Sequence, residues 1–327
     1  MIDVRPLTEF LENAGAGAGS YYLLLGRGRV LAALPMENAS FAHTLSLYRP
    51  QRWAARLWVF LLKILGSWGG RGLVLRKWHW PGSTQPILIH PGVVLGNPDQ
   101  ATPRAIFLLR ENHQWVVGKF VPDPNQQEIL HREMKLLHAA SQAGGHAPRS
   151  LGWHPCGSGG MLRTEWFPAV SSKPTLAQKI RILQDWLLEL PFRALPDFPS
   201  GKRAAFAPSA GLNSFPKLRP ALRHGDFAPW NLLKNKTGQW IAVDWEDGHP
   251  EDAPGLDLVH DFVQEEFLIR KSPFPAAKIR MLQTLKSQPA ASYLQASGWA
   301  GHELLLLHWA MAYESQTRPE IQRWVSS

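Results

Sequence analysis

Apolar and polar positions recur with two different periods along this chain, and the change from one to the other divides it. From about Pro86 the short apolar runs ILIHPGVVLG, RAIFLLR and WVVGKFV are separated by NPDQATP and ENHQ, whose Pro, Asn and Asp favour turns, so a strand meander is predicted. In WVVGKFV the alternation puts Val117, Lys119 and Val121 on one face, and a lysine among residues that would otherwise be buried needs a partner. The next stretch, NQQEILHREMKLLHAA, repeats Leu130, Met134 and Leu137 at helical spacing, with Glu133 on that same face and Glu128 on the polar side. GGMLRTEWFPAV then reads as a strand running into a Pro-terminated connection. Beyond it the period becomes helical. Leu176, Ile180, Leu183 and Leu187 mark one helix, and AAKIRMLQTLKS and HELLLLHWAMAYES are further candidates. The Pro-, Gly- and Ser-rich segment FPSGKRAAFAPSAGLNSFPKLRP connects the first of these helices to the region around residue 222. Strands first and helices later predict an α+β architecture.

The first third is patterned differently. YYLLL and VLAALP, separated by GRGR, predict a hairpin, and SWGGRG marks a boundary. Between them lies a basic amphipathic helix with Trp53, Leu57, Phe60, Leu61 and Ile64 on or near one face. Its apolar run, Leu57 to Trp68, is interrupted by Lys63 and falls short of the roughly 20 residues a bilayer requires, so no transmembrane segment is predicted. Packing on its own domain and docking on a membrane surface or partner protein both fit this pattern.

The 327 residues, 45% of them hydrophobic, predict a folded globular protein of one large or two medium domains. The single cysteine, Cys156, excludes an internal disulfide and suits a reducing compartment. The opening MIDVRPLTEFLENAG has acids and no apolar core, unlike a secretory signal, so a cytoplasmic location is the default expectation. The net charge of +9 is uneven: residues 1–120 hold 13 Lys and Arg against 6 Asp and Glu. This suits phosphate-bearing ligands or an acidic surface. No zinc spacing or nucleic-acid motif accompanies the charge, so no nucleic-acid partner is expected.

The candidate chemistry lies in LRHGDFAPWNLLKNKTGQWIAVDWEDGHPEDAPGLDLVHDF, residues 222–262. Asp226 and Asn231 are separated by four residues, the spacing at which a phosphoryl-transfer loop places an acceptor-facing carboxylate and a metal-binding amide. NLLK and WIAVD flank the turn-forming NKTGQ, so a hairpin is predicted with Asn231 opposite Asp244 or its neighbour, where facing Cβ atoms lie about 5 Å apart. An Asn and an Asp suffice for Mg2+, which keeps its other positions for phosphate oxygens and water.

With these residues in view, the chain resembles the aminoglycoside phosphotransferase and choline kinase family. The resemblance rests on HGDFAPWNLL (224–233), VDWE (243–246), DLVHDF (257–262) and a lysine strand followed by HREMKLL, and covers residues 86–327. It implies a bilobal protein-kinase-like fold, with residues 86–167 as a β-rich small lobe and 168–327 as a mainly helical large lobe; residues 1–85 match nothing in the family pattern and form an N-terminal extension that either adds strands to the small lobe or is a separate docking module. It also implies an enzyme that uses ATP and Mg2+ to phosphorylate a small-molecule hydroxyl. By the same resemblance Asp226 would be the catalytic base or hydroxyl-orienting group, and Asn231 and Asp244 would hold Mg2+. Lys119, oriented by Glu133, would contact the α and β phosphates, and backbone groups near Glu165, Trp166 and Phe167 would hold adenine. His224 would be structural, and Asp257 would brace the loop from a helix start. NPDQATP departs from the pattern, having prolines and no GxGxxG, which leaves Gly92, Gly96 and Asn97 as the candidates for gripping phosphate. The alternative is a kinase-fold scaffold that binds a partner or membrane surface through its basic N-terminal region. The acids Glu246, Asp247, Glu251, Asp252, Asp261, Glu265 and Glu266 are expected to be solvated surface rather than an acidic cleft.

Overall fold

A computed structural model describes residues 3–26, 29–47, 53–67, 71–83, 88, 91–96, 104–156, 159–170, 172–194 and 216–326. NPDQATP with Asn97, and most of the connection after residue 194, lie outside them. The elements in order are α1 (Arg5–Asn13), β1 (Gly19–Gly26), β2 (Arg29–Pro35), α2 (Asn38–Leu47), α3 (Trp53–Ser67), α4 (Arg71–Val74), β3 (Arg76–Trp80), β4 (Gly92–Leu95), β5 (Ala105–Glu111), β6 (Gln114–Val121), α5 (Gln127–Gln142), β7 (Ser150–Cys156) and β8 (Gly159–Glu165). They continue as α6 (Leu176–Asp185), β9 (Arg193–Ala194), β10 (Lys217–Leu218), β11 (Ala221–Arg223), β12 (Leu232–Lys234), β13 (Trp240–Ala242), β14 (His249–Asp252), α7 (Leu256–Gln264), α8 (Phe274–Leu285), α9 (Gln288–Ser297), α10 (Glu303–Thr317) and α11 (Pro319–Val325). The class is α+β, and the chain divides into two compact units, Met1–Met134 with Arg149–Pro168, and Lys135–Pro148 with Ala169–Ser327.

The first unit is built on an eight-stranded antiparallel sheet in the order β3-β1-β2-β4-β5-β6-β8-β7. The predicted ENHQ turn closes β5 onto β6 with Asn112 and His113 both at positive φ, the geometry that matches the twist of the flanking strands. Cross-strand register sorts the side chains onto two faces. Leu24, Ala32, Val94, Ile106 and Lys119 share one face through successive pairings, and Val93, Phe107 and Phe120 share the other. The second of these is covered by α1, whose Leu7, Phe10 and Leu11 pack on Phe107, Phe120 and Met161. The Lys119 face is covered near β1, β2 and β4 by Phe41 and Leu45 of α2 and by Val59 and Leu62 of α3.

Residues 1–85 therefore belong to the sheet: β1, β2 and β3 are three of its eight strands, and the anticipated boundary at 85/86 falls between two of its members. The β1–β2 pairing fulfils the predicted hairpin. α1 repeats Leu7, Phe10 and Leu11 at helical spacing and buries all three, whereas α2 and β3 carry no clear period and take their structure from tertiary burial. The apolar face of α3 departs from a core helix. Leu57, Phe60, Leu61 and Ile64 are exposed, and the helix is anchored instead by Val59 and Leu62.

In the second unit α6 begins with a capping box, in which the Thr175 hydroxyl accepts from Gln178 N–H and the Gln178 side chain accepts from Thr175 N–H. The helix stops at Asp185 and does not extend through Leu187 as its spacing predicted. Leu187 bridges Ala221, and Leu188 N–H donates to Pro220, so this backbone is spent on the strand that leads to the candidate site. The buried ammonium of Lys179 meets both carboxylate oxygens of Asp261 on α7, at 2.8 and 2.6 Å.

Because β4 is held on one side by β2 and its Val94 lies under α2 and α3, removing residues 1–85 strips an edge of the sheet and uncovers apolar surface. Residues 86–327 alone are expected to be insoluble or to melt without cooperativity; a soluble fragment with the full chain's thermal midpoint would show that the first three strands are dispensable.

Candidate active site

The hairpin at the centre of the second unit is made by its turn. The Asn235 side chain accepts from Thr237 N–H and Gln239 N–H, and Gly238 supplies a positive φ. This sets the register Leu232↔Ala242, and Val243 N–H donates to Asn231 O at 2.9 Å. Asn231 therefore stands opposite Val243, with Asp244 the next residue, as the spacing predicted. Asp244 has φ 72°, a left-handed conformation that Asp tolerates better than most side chains.

The loop before the hairpin is held by Asp257, in the first turn of α7. Its carboxylate accepts from His224 N–H at 2.7 Å and Gly225 N–H at 3.0 Å, so it braces the loop from a helix start. Gly225 sits at φ 85°, and a Cβ there would lie 2.1 Å from the Asp247 carbonyl oxygen, so only glycine lets the two segments approach. His224 is fully buried. Its Nδ1 accepts from Asp226 N–H and its Nε2 donates to Val243 O, which ties the loop to the hairpin. Burial lowers its pKa, against the pull of Asp257, Asp226 and Asp244, and keeps the ring neutral. The ring packs 4.6 Å from Trp245, which in turn meets Trp186 at 4.8 Å.

Asp226 is gripped on both carboxylate oxygens. Oδ2 accepts from Asn231 Nδ2 at 2.8 Å, and the same amide donates to the Asp226 carbonyl at 2.9 Å. Oδ1 accepts from His260 Nε2 at 2.9 Å and Arg318 at 3.3 Å. The other nitrogen of His260 lies 2.8 Å from Glu314 Oε1. A ring between two carboxylates donates from both nitrogens only as imidazolium. Burial alone would lower the His260 pKa, but the Glu314 charge and the hydrogen bonds that His260 donates to Asp226 and Glu314 raise it to about 9. Burial would raise Asp226, yet His260 and Arg318 hold it well below the usual carboxylate range. Glu314 is likewise held down, mainly by His260 against its own burial. Asp226 is thus a fixed anion whose side chain remains 24% accessible.

His260, Glu314 and Arg318 did not emerge from sequence reasoning. Glu314 carries the kind of signal that identified Glu133, a carboxylate within an apolar helix. His260 lies three residues after Asp257, on a helix buried throughout.

In the first unit Lys119 Nζ donates to Glu133 Oε1 at 2.7 Å, with side chains 17% and 3% exposed, and Glu128 is exposed. The N–H groups of Glu165 and Trp166 are engaged by the carbonyls of Arg149 and Trp115, which narrows the amides available near the expected adenine contact to Phe167. His43 of α2 packs against Trp115 and Trp166 at 4.9 and 4.4 Å. A Cβ at Gly92 would lie 1.8 Å from Thr44 Oγ1, so α2 sits directly against β4. Gly96 N–H donates to Arg104 O across the open end of the β4–β5 pair.

Of the acids of residues 246–266 expected at a solvated surface, Asp247 is exposed and Glu246 half-buried, but the other five are paired with cations of this chain. Asp252 pairs with Arg223, Asp261 with Lys179 and Glu266 with Arg280, all three carboxylates being buried, while Glu251 pairs with Arg193 and Glu265 with Arg270. Among the described residues no group of three or more His, Cys, Asp or Glu side chains is placed to hold a metal ion. Mg2+ itself demands few protein atoms. Asn231 fits that demand, because its amide protons are committed to Asp226 and its Oδ1 is left to face a cation. Asp244 adds a second hard oxygen donor set.

The architecture is that of an α+β protein with a strand-rich N-terminal unit, a mainly helical C-terminal unit and a carboxylate loop joined to a short hairpin. No protein-family model matches the chain, and no curated protein does. Among solved structures it is similar to an aminoglycoside-3'-phosphotransferase of type VIII, with 17% identity, covering 63% of this chain and 93% of that one at a TM-score of 0.39. It is also similar to the choline kinase LicA from Streptococcus pneumoniae, with 15% identity, 68% and 89% covered and a TM-score of 0.39. A putative fructosamine-3-kinase from Haemophilus somnus has 11% identity, 73% and 92% covered and a TM-score of 0.43.

The His260 pair makes stability depend on pH in a defined direction. A folded-state pKa raised from 6.5 to about 9 contributes stability that is complete below about 6.5 and is lost as pH rises through 9. The whole contribution is on the order of 3 kcal/mol. Thermal midpoints measured between pH 7 and about 10 should fall more steeply for the native chain than for His260→Gln. Parallel curves would show that His260 is not charged in the folded protein.

Proposed function

We propose that this protein is a phosphotransferase that moves the γ-phosphoryl group of Mg2+-bound ATP to a hydroxyl of a small molecule. The observation that carries this reading is Asp226, an accessible carboxylate fixed as an anion by Asn231, His260 and Arg318 beside a pair of hard oxygen donors. An acceptor hydroxyl donating to Asp226 has its oxygen lone pair directed away from the carboxylate, toward the γ-phosphorus. As the acceptor O–P bond forms, the bond from phosphorus to the bridging oxygen of ADP breaks, and the acceptor proton passes to Asp226. A carboxylate held below its ordinary pKa orients the hydroxyl and takes that proton late, which suits a loose transition state with little bonding to the nucleophile. Mg2+, held by Asn231 Oδ1 and Asp244, would neutralise charge on the phosphate oxygens. Lys119, kept in place by Glu133, would do the same for the α and β phosphates.

Asp252, Asp261, Glu251, Glu265 and Glu266 are paired with cations of this chain and are not offered to a polycationic acceptor, whereas Asp247, packed against Gly225 beside Asp226, is exposed.

A second reading, a nucleotide-poor scaffold, is favoured by one observation: α2 lies on the Lys119 face of the sheet, against β4 and Trp166. Nucleotide binding in the full chain discriminates the two.

Asp226→Asn should lower phosphoryl transfer by about 100-fold or more while leaving nucleotide affinity nearly unchanged, because this residue serves the acceptor. Turnover at the native rate on an identified hydroxyl substrate would refute the role. Lys119→Ala and Glu133→Ala should each weaken ATP binding, and the double variant should lose much less than the sum, since both act through one ion pair. Glu128→Ala is the control, with a stability change within about 0.5 kcal/mol. Greater sensitivity at Glu128 than at Glu133 would reassign the pairing.

A further inference from the structure

Helix α3 has two apolar faces, and the fold uses only one. Val59 and Leu62 point into the sheet and are buried with Phe41, Leu45, Val94 and Leu34. Leu57, Phe60 and Leu61 follow the i, i+3, i+4 rule of a single stripe on the other side, with Trp58 at its edge, and these four side chains are 39–57% exposed. Ile64, one turn further along the stripe, is 41% exposed. A stripe of this width on a soluble helix normally faces a core. Here it is directed outward by the packing of the opposite face.

The charge around the helix selects what covers this stripe. From residue 38 to residue 98 the chain has no Asp or Glu and has seven Lys and Arg: Arg49, Arg52, Arg56, Lys63, Arg71, Arg76 and Lys77. Lys63 lies on α3 itself at the margin of the stripe, and Arg76 and Lys77 are exposed on β3, the edge strand that follows. A second copy of this chain would bring the same acid-free region against itself, which like charges oppose. Large aliphatic and aromatic side chains on a convex helix, an indole at the rim and cations beside it match the boundary between anionic headgroups and acyl chains. Among the described residues no helix is long and apolar enough to cross a membrane, so the contact is one of lying on the surface.

We propose that α3 docks this protein peripherally on an anionic lipid bilayer. Leu57, Phe60 and Leu61 enter the acyl boundary, Trp58 sits at the headgroup level, and Lys63 engages the headgroups with Lys77, the β3 cation that shares the α3 face of the sheet. This assignment stands on α3 and the charge around it and is independent of the phosphotransfer reading.

The test is sedimentation of the full chain with extruded vesicles, either pure phosphatidylcholine or phosphatidylcholine with about 30% phosphatidylglycerol. The native chain should partition onto the anionic vesicles at least about tenfold more strongly than onto neutral ones, and lose most of that preference in about 0.5 M salt. Phe60→Ser/Leu61→Ser replaces exposed side chains, so its thermal midpoint should stay at the native value while its partition onto anionic vesicles falls by about tenfold or more. Failure of the native chain to bind anionic vesicles overturns the proposal. So does native-level binding by the double variant, which would mean charge alone acts. Concentration-dependent dimerisation that disappears in the double variant, or saturable capture of an acidic protein that displaces the native chain from vesicles, would assign the stripe to a protein partner and also overturn it.

Discussion

The candidate site depends on keeping one partly buried carboxylate charged. Asp226 lies where burial would favour its neutral form, and the arrangement around it opposes that tendency with three donors, two of them cationic. Those cations are themselves buried or half-buried and need anions of their own, which Glu314 supplies to His260 and also to Arg318 at 3.9 Å. The result is a four-member alternation of charge linking the loop, α7, α10 and the residue between α10 and α11. Each member faces two of opposite sign, so removing one halves the compensation of both its neighbours in a largely buried setting. The stability of the C-terminal helices and the chemistry of the loop are for this reason one problem.

The loop itself is fixed by hydrogen bonds to its backbone donors and by the aromatic packing beneath it. Asp257 occupies the amides of His224 and Gly225, Gly225 admits the close pass of the 247 carbonyl, and neutral His224 joins the loop to Val243 of the hairpin. Asp226 and the Asn231–Asp244 end of the hairpin are thus positioned by the same three residues. Trp186 and Trp245, both fully buried against His224, seal the underside, which accounts for part of the chain's unusual tryptophan content.

What was legible in the sequence had short range or strong period. The Asn235 turn fixes the hairpin register locally, so the placement of Asn231 beside the 243–244 pair could be read from spacing, and the inward Glu133 could be read from helical phase. What was not legible required long-range information. Glu314 reaches His260 across 54 residues, and Asp261 meets Lys179 across 82, and neither pairing has a local signature. Glu251, Asp252 and Asp261 look solvated in the sequence because their cations, Arg193, Arg223 and Lys179, are distant in the chain. Within the first 85 residues the β1–β2 hairpin was legible, but α2 and β3 take their structure from packing on the sheet, and a helix with two apolar faces gives a periodic signal that does not say which face is covered.

The central claim is that Asn231 and Asp244 present a Mg2+ site on which nucleotide binding depends. Calorimetric titration of ADP into the full chain, with and without Mg2+, tests it most directly when repeated on Asp244→Ala. The account predicts saturable binding that requires Mg2+ in the native chain, weakened by about tenfold or more in the variant. Equal affinity with and without Mg2+ in both proteins, or no binding to the native chain at all, would contradict it.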